Sequence, residues 1–528
     1  MMNAPRRMRC RVIVRAACLG AAGLLSSQPS RAQAEHGLTP EYVIIDRTDS
    51  EADIVRKAAS VVPAPRQLAW QRQELTAFVH FGMNTFTVQE WGSGSADPAL
   101  FNPTGLDAGQ WVKVLKDAGM KSVILTAKHH DGFCLWPSKY TIHSVRSSPW
   151  RGGKGDVVAE VASACRSLGM RFGVYLSPWD RHESSYGDSP RYNEFFRNQL
   201  RELLTGYGDI AEVWFDGACG EGPNGKRQEY DWQSYYALIR ELQPDAVIAV
   251  MGPDVRWVGT ESGEGRLSEW SVIPENGGGL DSIGPRSQRT ALDAAYTPGN
   301  LMQEDLGSRV KILGARALRW YPSEADVSIR PGWFYRADQD DRVKPPAELV
   351  DLYFSSVGRN SVLLLNVPPD QRGRIHENDV KSLRGMRTIL DHIFRTNLLG
   401  QAQVRESHPS NRHPVRYAIA GDGESFWEPE NGGDSAFAVC SWRTPRAFDC
   451  AMLQEEIRLG QHVERFRVEQ WDGRAWAEIA RGGTIGEKRL LRFPLVTTRK
   501  VRFVIEQSRG PFEISALGVF RMPGKATF

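Results

Sequence analysis

From residue 76 to residue 394, short apolar runs alternate with longer windows of helical periodicity. The runs 76–81, 122–127, 171–177, 210–215, 246–251 and 361–367 are rich in Val, Ile, Leu and Phe and read as strands. The windows 107–118, 156–168, 190–207, 232–242, 347–357 and 377–394 repeat apolar residues every three to four positions and read as helices. Weaker strand candidates are 266–273 and 317–320. Strands alternating with helices predict a parallel sheet. About eight strands over roughly 320 residues predict a (β/α)8-like barrel with long loops at the strand ends. An open doubly wound sheet is the alternative. No Gly-x-Gly-x-x-Gly follows the first strand and no P-loop is present, so nucleotide binding has no support.

From about residue 398 the period changes to two. The alternating runs 437–442, 448–453, 463–471, 476–481, 489–494 and 501–506, with a turn at Trp471-Asp472-Gly473, predict a C-terminal β-sandwich over 398–528. The barrel is assigned to 66–397. Residues 35–65, with Pro40, Pro63 and Pro65, read as a linker or lead-in.

The first 34 residues read as an export signal to be cleaved. Arg6, Arg7, Arg9, Arg11 and Arg15 precede a short apolar run, 16–25, and Ala32-Gln33-Ala34 has the small-x-small pattern of a cleavage site. The expected location is periplasmic or secreted, with no membrane contact after cleavage. The segment holds six Arg and no acid, so a formal charge of +3 becomes −3 without it, and the basic balance implies no nucleic-acid partner. Of seven Cys, the five beyond the signal (Cys134, Cys165, Cys219, Cys440 and Cys450) have neither a disulfide-framework nor a metal spacing. Cys440 and Cys450 remain a possible pair across neighbouring strands.

The active site of such a barrel collects at the C-terminal ends of its strands. Those ends carry His80 with Asn84, Glu90 and Trp91 beyond it; Lys128, His129, His130 and Asp131; Tyr175, Ser177, Trp179 and Asp180; Trp214 and Asp216; then Trp257 with Glu261, Glu269 with Trp270, and Trp320. Carboxylates and imidazoles hydrogen-bond hydroxyls, and indoles stack on the apolar faces of sugars; sixteen Trp suit that chemistry. A metal site on His80, His129, His130 and Asp216 is the rival. Adjacent His129 and His130 would point to opposite sides of a continuing strand, which leaves at most one facing inward, and no His-x-His spacing is present. The preferred reading needs no metal or cofactor. Retaining glycosidases use two carboxyls. Asp216, ending the run Ile210 to Phe215 with Gly217 and Ala218 leaving room beside it, suits the nucleophile. Glu261 suits the acid, with Glu90 and Glu264 as competitors.

The segments Phe78-Val79-His80-Phe81-Gly82, Glu90-Trp91, Ala127-Lys128-His129-His130-Asp131-Gly132-Phe133, Trp214-Phe215-Asp216-Gly217 and Leu363-Leu364-Leu365-Asn366-Val367-Pro368-Pro369 occur in order. Together they resemble α-L-fucosidases of glycoside hydrolase family 29, over about 66–395. The resemblance implies a retaining exo-hydrolase acting on a fucosylated oligosaccharide, without a metal in the catalytic step. It implies that Asp216 is the nucleophile, that His80, His129 and His130 bind fucose, and that Glu90 contacts O4, with Tyr175, Trp91 and Trp214 lining the pocket. The stretches Arg256–Glu261 and Ser268–Pro274 resemble the branch that cleaves α-1,3/4-linked fucose, where the acid falls at Glu261; Thr260 stands where that branch is expected to carry Asn. The C-terminal domain resembles the galactose-binding, discoidin-like fold. A related exo-glycosidase for another L-sugar or a galactose-like residue, and a non-catalytic sugar-binding protein, stay open as alternatives.

Overall fold

Eight parallel strands make the central sheet: β1 (Leu75–Val79), β2 (Ser122–Lys128), β3 (Arg171–Leu176), β4 (Glu212–Phe215), β5 (Val247–Val250), β6 (Arg256–Trp257), β7 (Ser323–Ser328) and β8 (Ser361–Asn366). The computed structural model describes residues 41–275, 303–430 and 433–524; the export-signal reading, with Cys10 and Cys18, lies outside them. The strands pair in the order β5-β4-β3-β2-β1-β8-β7-β6. The two end strands are linked by the Val250 N–H, which donates to the Val255 carbonyl at 3.0 Å, so the sheet is a near-closed barrel.

Strands buried on both faces need continuous apolar sequence, and β2, buried at every position, has it. Two strands do not follow that rule and are not predicted by the pattern. β6 has only two residues. β7 reads Ser-Glu-Ala-Asp-Val-Ser yet is buried throughout. Its acids tolerate burial because indole N–H groups reach them: Trp214 Nε1 donates to Glu324 Oε2 at 2.7 Å, and Trp257 Nε1 to Asp326 Oδ1 at 2.7 Å. The weaker candidates 266–273 and 317–320 are not barrel strands. Val272–Glu275 and Ala317–Trp320 pair antiparallel, with Tyr42–Ile44, in a separate three-stranded sheet.

The helices Ala108–Asp117, Val157–Leu168, Ser189–Gly206, Trp232–Leu242, Pro346–Ser355 and Glu377–Phe394 fall within a residue or two of the predicted windows. Their starts are set by side-chain caps: Asp107 accepts from the Gln110 amide at 2.9 Å and Asp156 from the Ala159 amide at 2.8 Å, each contributing about 1 kcal/mol. Residues 41–65 are not a plain linker. Ser50 and Asp53 form a capping box that starts the helix Glu51–Ser60, whose Ile54 and Ala58 are buried.

The C-terminal β-sandwich is antiparallel and holds its own core, with Trp427, Phe448, Phe466 and Phe503 fully buried. The runs 437–442 and 448–453 belong to one strand, Ala436–Glu455, and 489–494 and 501–506 to another, Arg489–Ser508; the pair changes register between Ser441 and Arg446 and between Phe448 and Cys450. Cys440 and Cys450 share one strand and are both free thiols. The sandwich grips the segment after β6 through Gln461, whose Nε2 donates to the Glu269 carbonyl at 3.1 Å and whose Oε1 accepts from the Ser271 amide at 2.7 Å; Asn360 of the barrel donates to the same carbonyl at 3.0 Å. Among the described residues no helix is long and apolar enough to cross a membrane.

Candidate active site

The C-terminal ends of β1 to β4 bring three imidazoles, a phenol and a carboxylate together. The β2 strand stops at Lys128, and the chain turns at once through a bond from the Gly132 amide to the His129 carbonyl (3.0 Å), with Gly132 at φ 76°. Side-chain alternation ends with the strand, so His129 and His130 both face the mouth, their ring centroids 4.1 Å apart. This corrects the expectation that only one of them would. His80 lies 5.5 Å from His129, and His129 stacks on Tyr175.

The roles of two imidazoles follow from their neighbours. Asn366, at the end of β8, donates through Nδ2 to the Trp333 carbonyl (2.8 Å), so its Oδ1 must accept; it takes the His80 amide at 3.2 Å and His80 Nδ1–H at 2.8 Å. Burial pushes the His80 pKa down to about 3. His80 is thus neutral, with Nε2 as an acceptor. Ser177 Oγ donates to the Trp179 carbonyl at 2.6 Å and so must accept from His130 Nδ1–H at 2.7 Å. His130, also lowered by burial, then presents Nε2 as an acceptor 3.7 Å from Asp216 Oδ2. His129 is held far below the usual imidazole range by burial.

Asp216 sits just past β4. Tyr175 donates to its Oδ2 at 2.9 Å and the Ala218 amide to its Oδ1 at 2.7 Å, while 23% of its side chain stays open to solvent. Glu261, four residues after β6, lies exposed at the mouth. Burial of its carboxyl raises its pKa despite that exposure, the Trp333 N–H lowers it, and the charges of Asp216 and Glu90 raise it further. Both acids therefore bear on one opening. Glu90 is fixed from the far side by the Trp333 amide, which donates to its Oε2 at 2.9 Å; Gly332 leaves the room, since a Cβ there would overlap Glu90 Oε1. Trp91 is 51% exposed and meets His130 and Trp179 edge-on.

Other predicted rim residues lie elsewhere. Trp214 is beneath the mouth, stacked on Tyr175 with its N–H committed to Glu324. Lys128 and Asp180 form a buried ion pair at 2.9 Å below the imidazoles. Glu269 is buried between Arg256 and Arg266, Trp270 donates to Asp305, and Trp320 donates to Gln71, so none of these reaches the mouth. Trp333 and Asn366 are the residues the pattern missed. Asn366 carried a signal, as the one polar residue ending an apolar run; Trp333 follows β7, whose polar sequence hid the strand. Among the described residues no group of three or more His, Cys, Asp and Glu is placed to hold a metal ion.

Comparison with known proteins now bears on this site. The family model for alpha-L-fucosidase matches residues 65–266 and 298–392. Alpha-L-fucosidase 1 of Arabidopsis thaliana is 42% identical over 467 residues, 87% of each chain. A Ruminococcus gnavus GH29 fucosidase crystallised in complex with fucose superposes with a TM-score of 0.76 at 32% identity, over 88% of this chain and 95% of that one. A glycoside hydrolase 29 family member from an unknown rumen bacterium gives 0.72 at 39% identity, over 88% and 78%. A model that spans most of the barrel, and a plant relative aligned over nearly all of either chain, place the chain in the alpha-L-fucosidase family of glycoside hydrolases.

Proposed function

We propose that the protein is an exported, retaining exo-α-L-fucosidase acting on terminal α-1,3- or α-1,4-linked fucose. The observation that carries the mechanism is that Asp216, just past β4, and Glu261, just past β6, lie near enough for their charges to interact, beside imidazoles that present lone pairs to hydroxyl groups. Asp216 attacks C1, the bond from C1 to the aglycone oxygen breaks, and Glu261 gives that oxygen its proton. Glu261 then takes a proton from water, whose oxygen attacks C1 and releases Asp216. His80, Glu90, Trp91, His129, His130 and Tyr175 hold the sugar; Trp214 supports Tyr175 from below. The raised pKa of Glu261 keeps a proton available at higher pH than an ordinary Glu would.

Proton NMR of a running hydrolysis tests the stereochemistry: α-fucose appears first if configuration is retained, β-fucose if it is inverted. The linkage reading rests on the likeness of 256–261 and 268–274 to the α-1,3/4 branch. A panel of Lewis a, Lewis x, 2′-linked and core-linked glycans tests it, and fastest release from a 2′-linked glycan would overturn it. Export rests on the first 34 residues. Exported protein with a mature N-terminus at Glu35 would support it, and protein that stays in the cytoplasm with Met1 in place would refute it.

A further inference from the structure

Trp333 meets two of the sugar-site residues, Glu90 and His80, and the proposed acid. Its amide holds Glu90 at 2.9 Å, and its carbonyl accepts from the Asn366 side chain that also fixes His80. Its ring meets that of His80 at a tilt of 38°, with centroids 5.1 Å apart. Its indole Nε1–H donates to Glu261 Oε2 at 3.2 Å. One residue therefore joins the sugar-recognition groups to the proposed acid, which otherwise sits on an exposed loop.

We propose that Trp333 is the positioning residue of the acid/base: its indole N–H fixes the Glu261 carboxyl and directs the catalytic proton to Oε1. This rests on the reading of Glu261 as the acid/base. An indole N–H only donates. Oε2 must accept from it, which leaves Oε1 as the better place for the transferable proton. In the second step the same bond steadies the carboxylate while Oε1 takes the proton of water. The N–H favours the charged form, so it opposes what holds the proton on: burial first, then the charges of Asp216 and Glu90. Trp333 thus sets both where the proton sits and how readily it leaves.

Trp333→Phe tests this, because it keeps an aromatic ring beside His80 and the backbone bonds to Glu90 and Asn366 while deleting the N–H with part of the indole. The alkaline limb of kcat/KM should move up by about half to one pH unit. The kcat/KM of fucosides with poor leaving groups should fall about tenfold or more, and that of 2,4-dinitrophenyl fucoside, whose departure needs no acid, should change little. A general loosening of the loop would lower rates without moving the limb. A wild-type limb together with a wild-type dependence on leaving group would overturn the proposal. Glu261→Gln, run in parallel, separates the two readings: full activity of that variant on poor leaving groups would remove Glu261 as the acid, whatever Trp333 does.

Discussion

Strands β4 and β7 carry inward-facing acids at two heights of the barrel: Glu212 and Glu324 at the floor, and Asp216 just beyond β4 at the mouth. The period of two that puts Glu212, Trp214 and Asp216 on one face is the same for all of them. Their surroundings differ. At the floor both residues are at most 1% exposed, Trp70 Nε1 donates to Glu212 Oε2 at 2.9 Å and Trp214 Nε1 to Glu324 Oε2, and each Oε1 is left without a donor. Burial pushes Glu212 up to about 7 and Glu324 well above the usual range, so the pair keeps a proton, and a proton shared between them supplies the missing donor. At the mouth Asp216 has water on one side and a donor on each oxygen. An inward acid on a barrel strand is therefore no mark of catalysis; solvent and donors separate the reactive carboxyl from the structural one.

The strongest way to break this contrast is to remove each acid in turn. Asp216→Ala should lower kcat by about three orders of magnitude or more. Azide should restore turnover and yield β-fucosyl azide. Glu212→Gln, four residues earlier on the same face, should leave kcat within a few-fold of the unaltered enzyme. Comparable losses in the two variants would show that height in the barrel does not sort the roles.

The floor should instead report in stability. Glu324→Ala strands the Trp214 N–H and the Glu212 carboxyl in an apolar interior, and the lost groups and the cavity together cost roughly 4 kcal/mol. Glu324→Gln keeps an oxygen for the indole and should cost much less. Denaturant melts that give the two variants equal stability would refute the assignment.

The contrast also explains what could be read from sequence. Five barrel strands are apolar runs that end in a polar residue, so His80, His129, His130, Tyr175 and Asp216 were legible as a rim. β7 was not, because Glu324 and Asp326 are matched by indoles from elsewhere in the chain, and such pairing leaves no local pattern. Trp333 vanished with it. The opposite error arose at 317–320, where Ala-Leu-Arg-Trp reads as a barrel strand but pairs outside it. A period of two specifies a strand, not which sheet it joins.

A smaller effect, in pH, sharpens the same point. Glu212 titrates near 4.5 when unfolded and about 7 when folded. Below pH 4.5 both states hold the proton. Between pH 4.5 and 7 only the folded state still does, so stability falls as pH rises across that window, by on the order of 3 kcal/mol. The thermal midpoint should decline from pH 5 to pH 8, and Glu212→Gln should flatten the decline. An unaltered slope in that variant would place the titration elsewhere.

The smallest effect lies back at the mouth, where Ser177 keeps the lone pair of His130 facing Asp216. The Ser177 hydroxyl spends its one hydrogen on the Trp179 carbonyl, so His130 must put its own on Nδ1. Without Ser177 the ring can take the other tautomer, and Nε2–H then bonds the Asp216 carboxylate before any sugar arrives. A fucose hydroxyl that would donate to Nε2 loses its acceptor, and the nucleophile gains a competitor. Ser177→Ala should raise KM more than it lowers kcat, with kcat/KM down about tenfold, one neutral hydrogen bond's worth. Ser177→Thr keeps the hydroxyl and should restore most of it. If the alanine variant binds fucose as tightly as the parent, measured as product inhibition, the tautomer is set by something other than this serine.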